Sequence, residues 1–183
     1  MILTPAGLEG AFLVEMERRG DSRGWFARAW CAEEMAAHGL AATVAQANVA
    51  RTEHRGTVRG LHWQAAPHGE AKLVRCTRGA VFDVAVDLRP DSPTHGRWIG
   101  WELGEEDGRM LYVPEGCAHG YQALADGAEV TYLVSAPYVP AAERGIRPDD
   151  PAFGIRWPLP VSSVSDRDRA WPDHLPSLAP ASA

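Results

Sequence analysis

The stretch Ala71–Arg89, AKLVRCTRGAVFDVAVDLR, narrows the possible folds more than any other part of the chain. Apolar and β-branched residues alternate on both sides of Arg78-Gly79, so the segment reads as two strands joined by a tight turn that the glycine supplies. In its second half Phe82, Val84, Val86 and Leu88 share one face, and Val81, Asp83, Ala85 and Asp87 share the other. The expectation is one core face and one face that carries Asp83. Further short strand-like runs are Gly10–Glu15, Val44–Val49, Trp98–Leu103, Arg109–Val113 and Val130–Ser135, separated by Gly, Pro, Asp and Ser. Only Cys31–Gly39 reads as helix, with Ala, Glu and Met inside it and Gly39 placed to end it. Many short strands and almost no helix point to an all-β sandwich or jelly roll and argue against a parallel βαβ sheet.

With 183 residues there is room for one domain with a sizeable core and too little for two. No apolar run is long enough to span a bilayer as a helix, so no membrane partner is expected. A formal net charge of −6 argues against a broad nucleic-acid surface, leaving any phosphate to a local Arg and Lys cluster. The opening MILTPAGLEG lacks a basic patch followed by an apolar stretch, so a cytoplasmic location is expected. Cys31, Cys76 and Cys117 form no CxxC pair and are expected to be buried free thiols. Beyond Pro137 the chain is rich in Pro, Asp and Arg and reads as a surface-wrapping segment, with a frayed end over HLPSLAPASA.

Three clusters carry residues able to do chemistry. Thr57–Lys72 places Arg59, His62 and Lys72 around a strand and a Gly/Pro loop. Arg59 and His62 are three apart, so a regular strand would point them to opposite faces, whereas a bulge at Gly60 would bring them together. In Val113–Tyr121 a Pro-Glu-Gly turn delivers His119 onto the next strand, and Thr131–Tyr138 holds Tyr132 and Tyr138. Near the end, Val164–Asp168 has acids within reach of a histidine across the fold. Taken singly, His62 and His119 read as hydrogen-bonded structural histidines, Lys72 as an edge charge, the tyrosines as core-edge aromatics, and Asp166 and Asp168 as solvated turn residues.

Their order along one chain changes that reading. The sequence resembles the dTDP-4-dehydrorhamnose 3,5-epimerase family of sugar-modifying cupins from Asp21-Ser22-Arg23-Gly24-Trp25-Phe26 to Val164-Ser165-Asp166-Arg167-Asp168. Between lie Gln46-Ala47-Asn48, Arg59-Gly60-Leu61-His62, Lys72-Leu73-Val74, Asp83 to Arg89, Ser92-Pro93-Thr94-His95-Gly96 and Gly116-Cys117-Ala118-His119-Gly120. The resemblance implies a cupin jelly-roll barrel, a double-stranded β-helix with one or two short peripheral helices, forming one domain over 1–183. About 1–50 would form N-terminal strands and a helix at a homodimer interface, about 51–136 the barrel core and about 137–183 the wrapping segment. N-terminal strands would be exchanged, with Arg23 and Phe26 reaching the neighbour's site. It also implies cofactor-independent epimerisation at C3 and/or C5 of a nucleotide-linked 4-keto-6-deoxyhexose, by default dTDP-4-keto-6-deoxyglucose. His62 would be the base, Asp168 its orienting partner, Lys72 the enolate stabiliser and Tyr132 the acid on the opposite ring face. Arg59, His119 with Asp83, Tyr138, Gln46, Asn48, Arg28 and Arg167 would complete substrate binding.

Neither cofactor nor metal is expected: metal-binding cupins generally pair histidines one residue apart, and Gln64 stands two places after His62. The chain departs from the family at Arg28, where a Glu that helps hold the thymine is usual, so an acceptor has become a donor. Arg167 stands where Lys is common and Glu70 where Gln is common. Two other classes stay open at this point, a metal-dependent cupin oxidoreductase and a non-catalytic cupin that binds nucleotide sugars.

Overall fold

The computed structural model describes residues 1–174; the expected frayed end lies, after His174, outside the described residues. The strands are β1 (Ile2–Pro5), β2 (Phe12–Glu15), β3 (Arg19–Asp21), β4 (Gly24–Phe26), β5 (Gln46–Thr52), β6 (Val58–Gln64) and β7 (Lys72–Arg78). They continue as β8 (Ala80–Asp87), β9 (Trp98–Gly104), β10 (Arg109–Val113), β11 (Cys117–Ala123), β12 (Ala128–Val134) and β13 (Glu143–Gly145). Two short helices, α1 (Ala32–Ala37) and α2 (Asp166–Arg169), lie outside the sheets. No helix among the described residues is long and apolar enough to cross a membrane.

Two antiparallel sheets face each other in a cupin-like jelly roll. One has the order β1-β2-β10-β7-β12-β5 and the other β13-β6-β11-β8-β9, while β3 and β4 form a separate hairpin. The β7–β8 turn falls at Gly79, whose φ of +70° is a conformation that glycine adopts at little cost. Between the sheets lies the main core, with Val74 and Cys76 of β7, Val81 and Ala85 of β8, Leu111 and Val113 of β10, and Val130 of β12. Burying a Val or Leu side chain of this kind contributes about 1.5–3 kcal/mol.

Both faces of β8 turn out to be buried. Val81, Asp83, Ala85 and Asp87 look inward, while Val84 and Val86 pack under Ile146, Phe153, Ile155 and Trp157 of the C-terminal segment. The expectation of a single core face for β8 is thus corrected: the wrapping segment supplies a second apolar layer, which the strand period alone does not reveal. The other sheet is covered in the same way, as Met35 of α1 and Trp30 pack on Val14, Leu73, Met110 and Tyr112.

Two of the free cysteines, Cys76 and Cys117, are buried, and Cys31 is half-buried. Burial pushes the Cys76 thiol up to about 11 and the Cys117 thiol up to about 12, so both stay protonated at neutral pH.

Candidate active site

A cavity of about 480 Å³ opens between the two sheets, lined by Arg59, His62, Lys72, His119, Tyr132, Arg167 and Asp168 among others. A second hollow of about 310 Å³ shares His62, Lys72 and Tyr132 and adds Gln46, Asn48 and Tyr138. The three shared side chains mark the junction of the two spaces. His62 comes from the five-stranded sheet, while Lys72 and Tyr132 come from the six-stranded one.

Arg59 and His62 reach the same cavity because β6 is irregular. His62 is the partner of His119 and Arg59 that of Tyr121, so two steps along β11 match three along β6. This bulge is the arrangement that Gly60 was expected to permit, and two glycines make it possible. A Cβ on Gly60 would lie 2.7 Å from Gly120 Cα and from the His119 carbonyl oxygen; one on Gly120 would lie 2.5 Å from the Arg59 carbonyl oxygen.

His62 Nε2 lies 2.6 Å from Asp168 Oδ1. With Nε2–H donating to the carboxylate, the free lone pair is on Nδ1, the tautomer a base requires. Gly60 N–H donates to the other carboxylate oxygen at 3.2 Å. Burial alone would raise the Asp168 carboxyl, but the hydrogen bond and charge of His62, with the Gly60 and Ser165 bonds, outweigh it and hold Asp168 below its ordinary value. The expected turn at Val164–Asp168 is instead the start of α2, and Asp168 is 5% exposed rather than solvated. Its sequence signal was present: Ser165-Asp166-Arg167-Asp168 has Ser–x–x–acid spacing, and Ser165 Oγ accepts the Asp168 N–H at 3.1 Å.

Lys72 Nζ donates to Glu70 Oε1 at 2.5 Å, and Glu70 Oε2 accepts from Gln64 Nε2 at 3.1 Å. Burial pushes the Tyr132 phenol above its ordinary range, the Glu70 charge adds to that, and the Arg59 charge opposes it. Tyr132 therefore holds its proton at neutral pH and is able to donate it.

Arg59 Nε donates to Thr52 Oγ1 at 2.9 Å and Nη2 to the Arg51 carbonyl at 3.0 Å, which fixes the guanidinium at the cavity wall. His119 Nε2 lies 2.8 Å from Asp83 Oδ1. Asp83 itself is fully buried and is not part of the wall, so its effect on any ligand passes through His119. At the mouth, Tyr138 and Arg167 both donate to Glu143 Oε2. The sequence reading missed Glu143, and nothing in local spacing could have found it, because its partners come from a loop and from α2. Gln46 Oε1 accepts the Tyr138 N–H at 3.0 Å.

Arg23, Phe26 and Arg28 lie apart from this cavity. Arg23 pairs with Asp21 on the β3–β4 hairpin at 2.6 Å, and Phe26 is 73% exposed. Arg28 pairs with Glu34 at 2.6 Å, and Glu34 also receives the α-amino group of Met1. Among the described residues no group of three or more His, Cys, Asp or Glu is placed to hold a metal ion.

A family model described as dTDP-4-dehydrorhamnose 3,5-epimerase matches residues 5–175. The chain belongs to that family. Among the epimerases it resembles is the dTDP-4-dehydrorhamnose 3,5-epimerase of Sinorhizobium fredii, 44% identical over 87% of this chain and 83% of the relative. The dTDP-4-dehydrorhamnose 3-epimerase of Streptomyces niveus is 44% identical over 92% of this chain and 82% of its own. A solved 4-keto-6-deoxy sugar epimerase from the novobiocin biosynthetic gene cluster of Streptomyces spheroides superposes with a TM-score of 0.87 at 43% identity, covering 93% of this chain and 86% of that one. The named relatives include both a 3,5-epimerase and a 3-epimerase, so family membership fixes the reaction type more tightly than the carbons inverted.

Proposed function

We propose that this chain epimerises a nucleotide-linked 4-keto-6-deoxyhexose at C3 and/or C5, with dTDP-4-keto-6-deoxyglucose as the default substrate and no cofactor. The observation that carries the proposal is the cavity shared by a histidine–aspartate pair from one sheet and a lysine and a protonated tyrosine from the other.

A C4 ketone acidifies the hydrogens on C3 and C5, because the anion left after proton removal places its charge on O4. His62 Nδ1 takes the proton while Asp168 holds the ring and stabilises the imidazolium. Positioned proton transfer of this kind is worth roughly 10²–10⁴ in rate. Lys72 places its ammonium at O4, where negative charge develops, and preorganised groups so placed are commonly the largest catalytic contribution. Tyr132 returns a proton to the opposite ring face, which inverts the carbon; the His62 imidazolium then releases its proton to solvent and the phenolate takes one up, restoring both groups. Arg59, His119 and Arg167 bind the substrate around this centre, and Gln46, Asn48 and Tyr138 line the adjoining space.

The enzyme works as a homodimer in which residues of about 1–50 form the interface and Arg23 and Phe26 of one protomer reach the substrate site of the other. The exposed β3–β4 hairpin, with Trp25 and Phe26 unburied and no role at its own cavity, supports this reading. Three unpaired cysteines fit the reducing cytoplasm.

Proton NMR with dTDP-4-keto-6-deoxyglucose in D₂O tests the proposal through loss of the C3 and C5 hydrogen signals. Exchange at both carbons identifies a 3,5-epimerase, and exchange at one identifies a single-site enzyme. A folded protein that binds the nucleotide sugar tightly and exchanges neither would overturn the proposed chemistry in favour of a binding module.

A further inference from the structure

Two polar side chains beside the cavity have no part in the chemistry above, yet both are well protected from water. Gln64 is 2% exposed, and the Glu70 side chain is 11% exposed. They are linked end to end. The Gln64 Oε1 accepts the Val139 N–H at 2.5 Å, and its Nε2 lies 3.1 Å from the His68 and Pro137 carbonyl oxygens and from Glu70 Oε2. Glu70 Oε1 then takes a proton donor from Lys72. Both carboxylate oxygens are thus occupied, and the chain of bonds runs from the backbone of the 137–139 loop to the Lys72 ammonium.

We infer that Glu70, anchored by Gln64, is a positioning residue that holds the Lys72 ammonium at the carbonyl oxygen of the substrate. The inference rests on the reading of Lys72 as the group that meets charge on O4. Stability alone does not explain the arrangement: a buried ion pair generally returns little more than the desolvation of its two charges, and apolar residues of similar volume do as well or better. Position does explain it. A lysine on four rotatable bonds loses more rotamer freedom when fixed than almost any other side chain, and a group fixed before substrate arrives meets that loss during folding rather than during reaction. An ammonium has three donors, so the bond to Glu70 leaves two for O4.

The test compares Glu70→Ala, Glu70→Gln and Lys72→Ala in full-length protein, measuring kcat and KM on dTDP-4-keto-6-deoxyglucose alongside thermal midpoints. Glu70→Ala should lower kcat roughly 10- to 100-fold with KM nearly unchanged, the loss expected when a catalytic group is misplaced. Glu70→Gln keeps one acceptor oxygen for Nζ but turns its NH2 toward the Gln64 amide, so it should recover part of that loss. Should Glu70→Ala lose its fold, Glu70→Met fills the space without the acceptor and takes its place in the comparison. Native turnover in Glu70→Ala with an inactive Lys72→Ala would overturn the positioning role and leave the Lys72 reading standing. A fully active Lys72→Ala would remove that reading and the inference together. Equal damage in Glu70→Ala and Glu70→Gln would also overturn the inference, since the acceptor would then not be what matters.

Discussion

In the proposed mechanism Asp168 joins the chemistry of the site to the stability of the fold. Its carboxyl is held below the ordinary value of about 3.9. A group whose native value is depressed stabilises the fold fully above the unfolded value, and that contribution is lost as pH falls through the native value. Asp168→Asn should therefore be less stable than the native protein at about pH 7, and the gap should close as pH drops below about 4. Urea midpoints measured at both ends of that range check it; a gap independent of pH would contradict the charge-based account. The same substitution should cut kcat, because an amide no longer dictates which His62 nitrogen carries the proton. His62→Ala should lower C3 and C5 exchange by roughly 10²–10⁴ and leave nucleotide binding nearly intact, as read by exchange and by titration with dTDP. At this scale the sequence pointed to residues whose type already suggests chemistry: His62, Lys72, His119, Tyr132 and Asp168 all reach one cavity or its junction. Glu70, Gln64 and Glu143 escaped notice as participants because their part is to hold other side chains, and a hydrogen bond across 73 residues, as from Gln64 to Pro137, leaves no local pattern.

Between single residues and the whole fold, the bulge in β6 and the short α2 bring the site together. Gly60 sits at a φ of +105°, and a Cβ there would strike Gly120 Cα and the His119 carbonyl oxygen. Backbone strain of this kind costs about 1–3 kcal/mol, and the collision adds to it. Gly60→Ala should thus lower the thermal midpoint by several degrees and remove activity by moving Arg59 relative to His62. Gly96 is the control: its φ is +74° but the space around it is open, so Gly96→Ala should carry the backbone cost alone. Equal effects of the two substitutions would show that the close approach of β6 and β11 is unimportant. Elements with a clear period were legible from sequence, among them the β7–β8 hairpin and β10, which spans Arg109–Val113 as expected. The expected strand over Val44–Val49 lies instead at Gln46–Thr52, where pairing with β12 sets its ends. The three-residue strands β3, β4 and β13 and the four-residue α2 are too short for either period to register; β3 and β4 are defined by pairing with each other, and β13 and α2 by packing against β6.

For the whole molecule, the central question is why the chain carries a hairpin that its own cavity does not use. Trp25 and Phe26 are large, apolar and exposed, and Arg18 stacks on Trp25 at 4.4 Å, so the hairpin has a shape of its own without burying its tip. Exposed aromatics beside arginines suit a surface that closes over the flat base and the phosphates of a nucleotide in a second protomer. If each site draws its base from one protomer and its hairpin from the other, Arg23→Ala should mainly raise KM while His62→Ala lowers turnover by roughly 10²–10⁴. The two inactive or weakened homodimers then make a sharper test together than apart. A mixed dimer has one site that carries both substitutions and one that carries neither. Unfolding and refolding the two variants as an equal mixture should therefore restore activity, assayed at substrate below the KM of Arg23→Ala, because about half of the dimers formed at random are mixed and each holds one native site. Sites built wholly within one protomer contain either the base or the arginine but never both, so the refolded mixture would then show only the average of the two parents, and the shared-site arrangement would have to be abandoned.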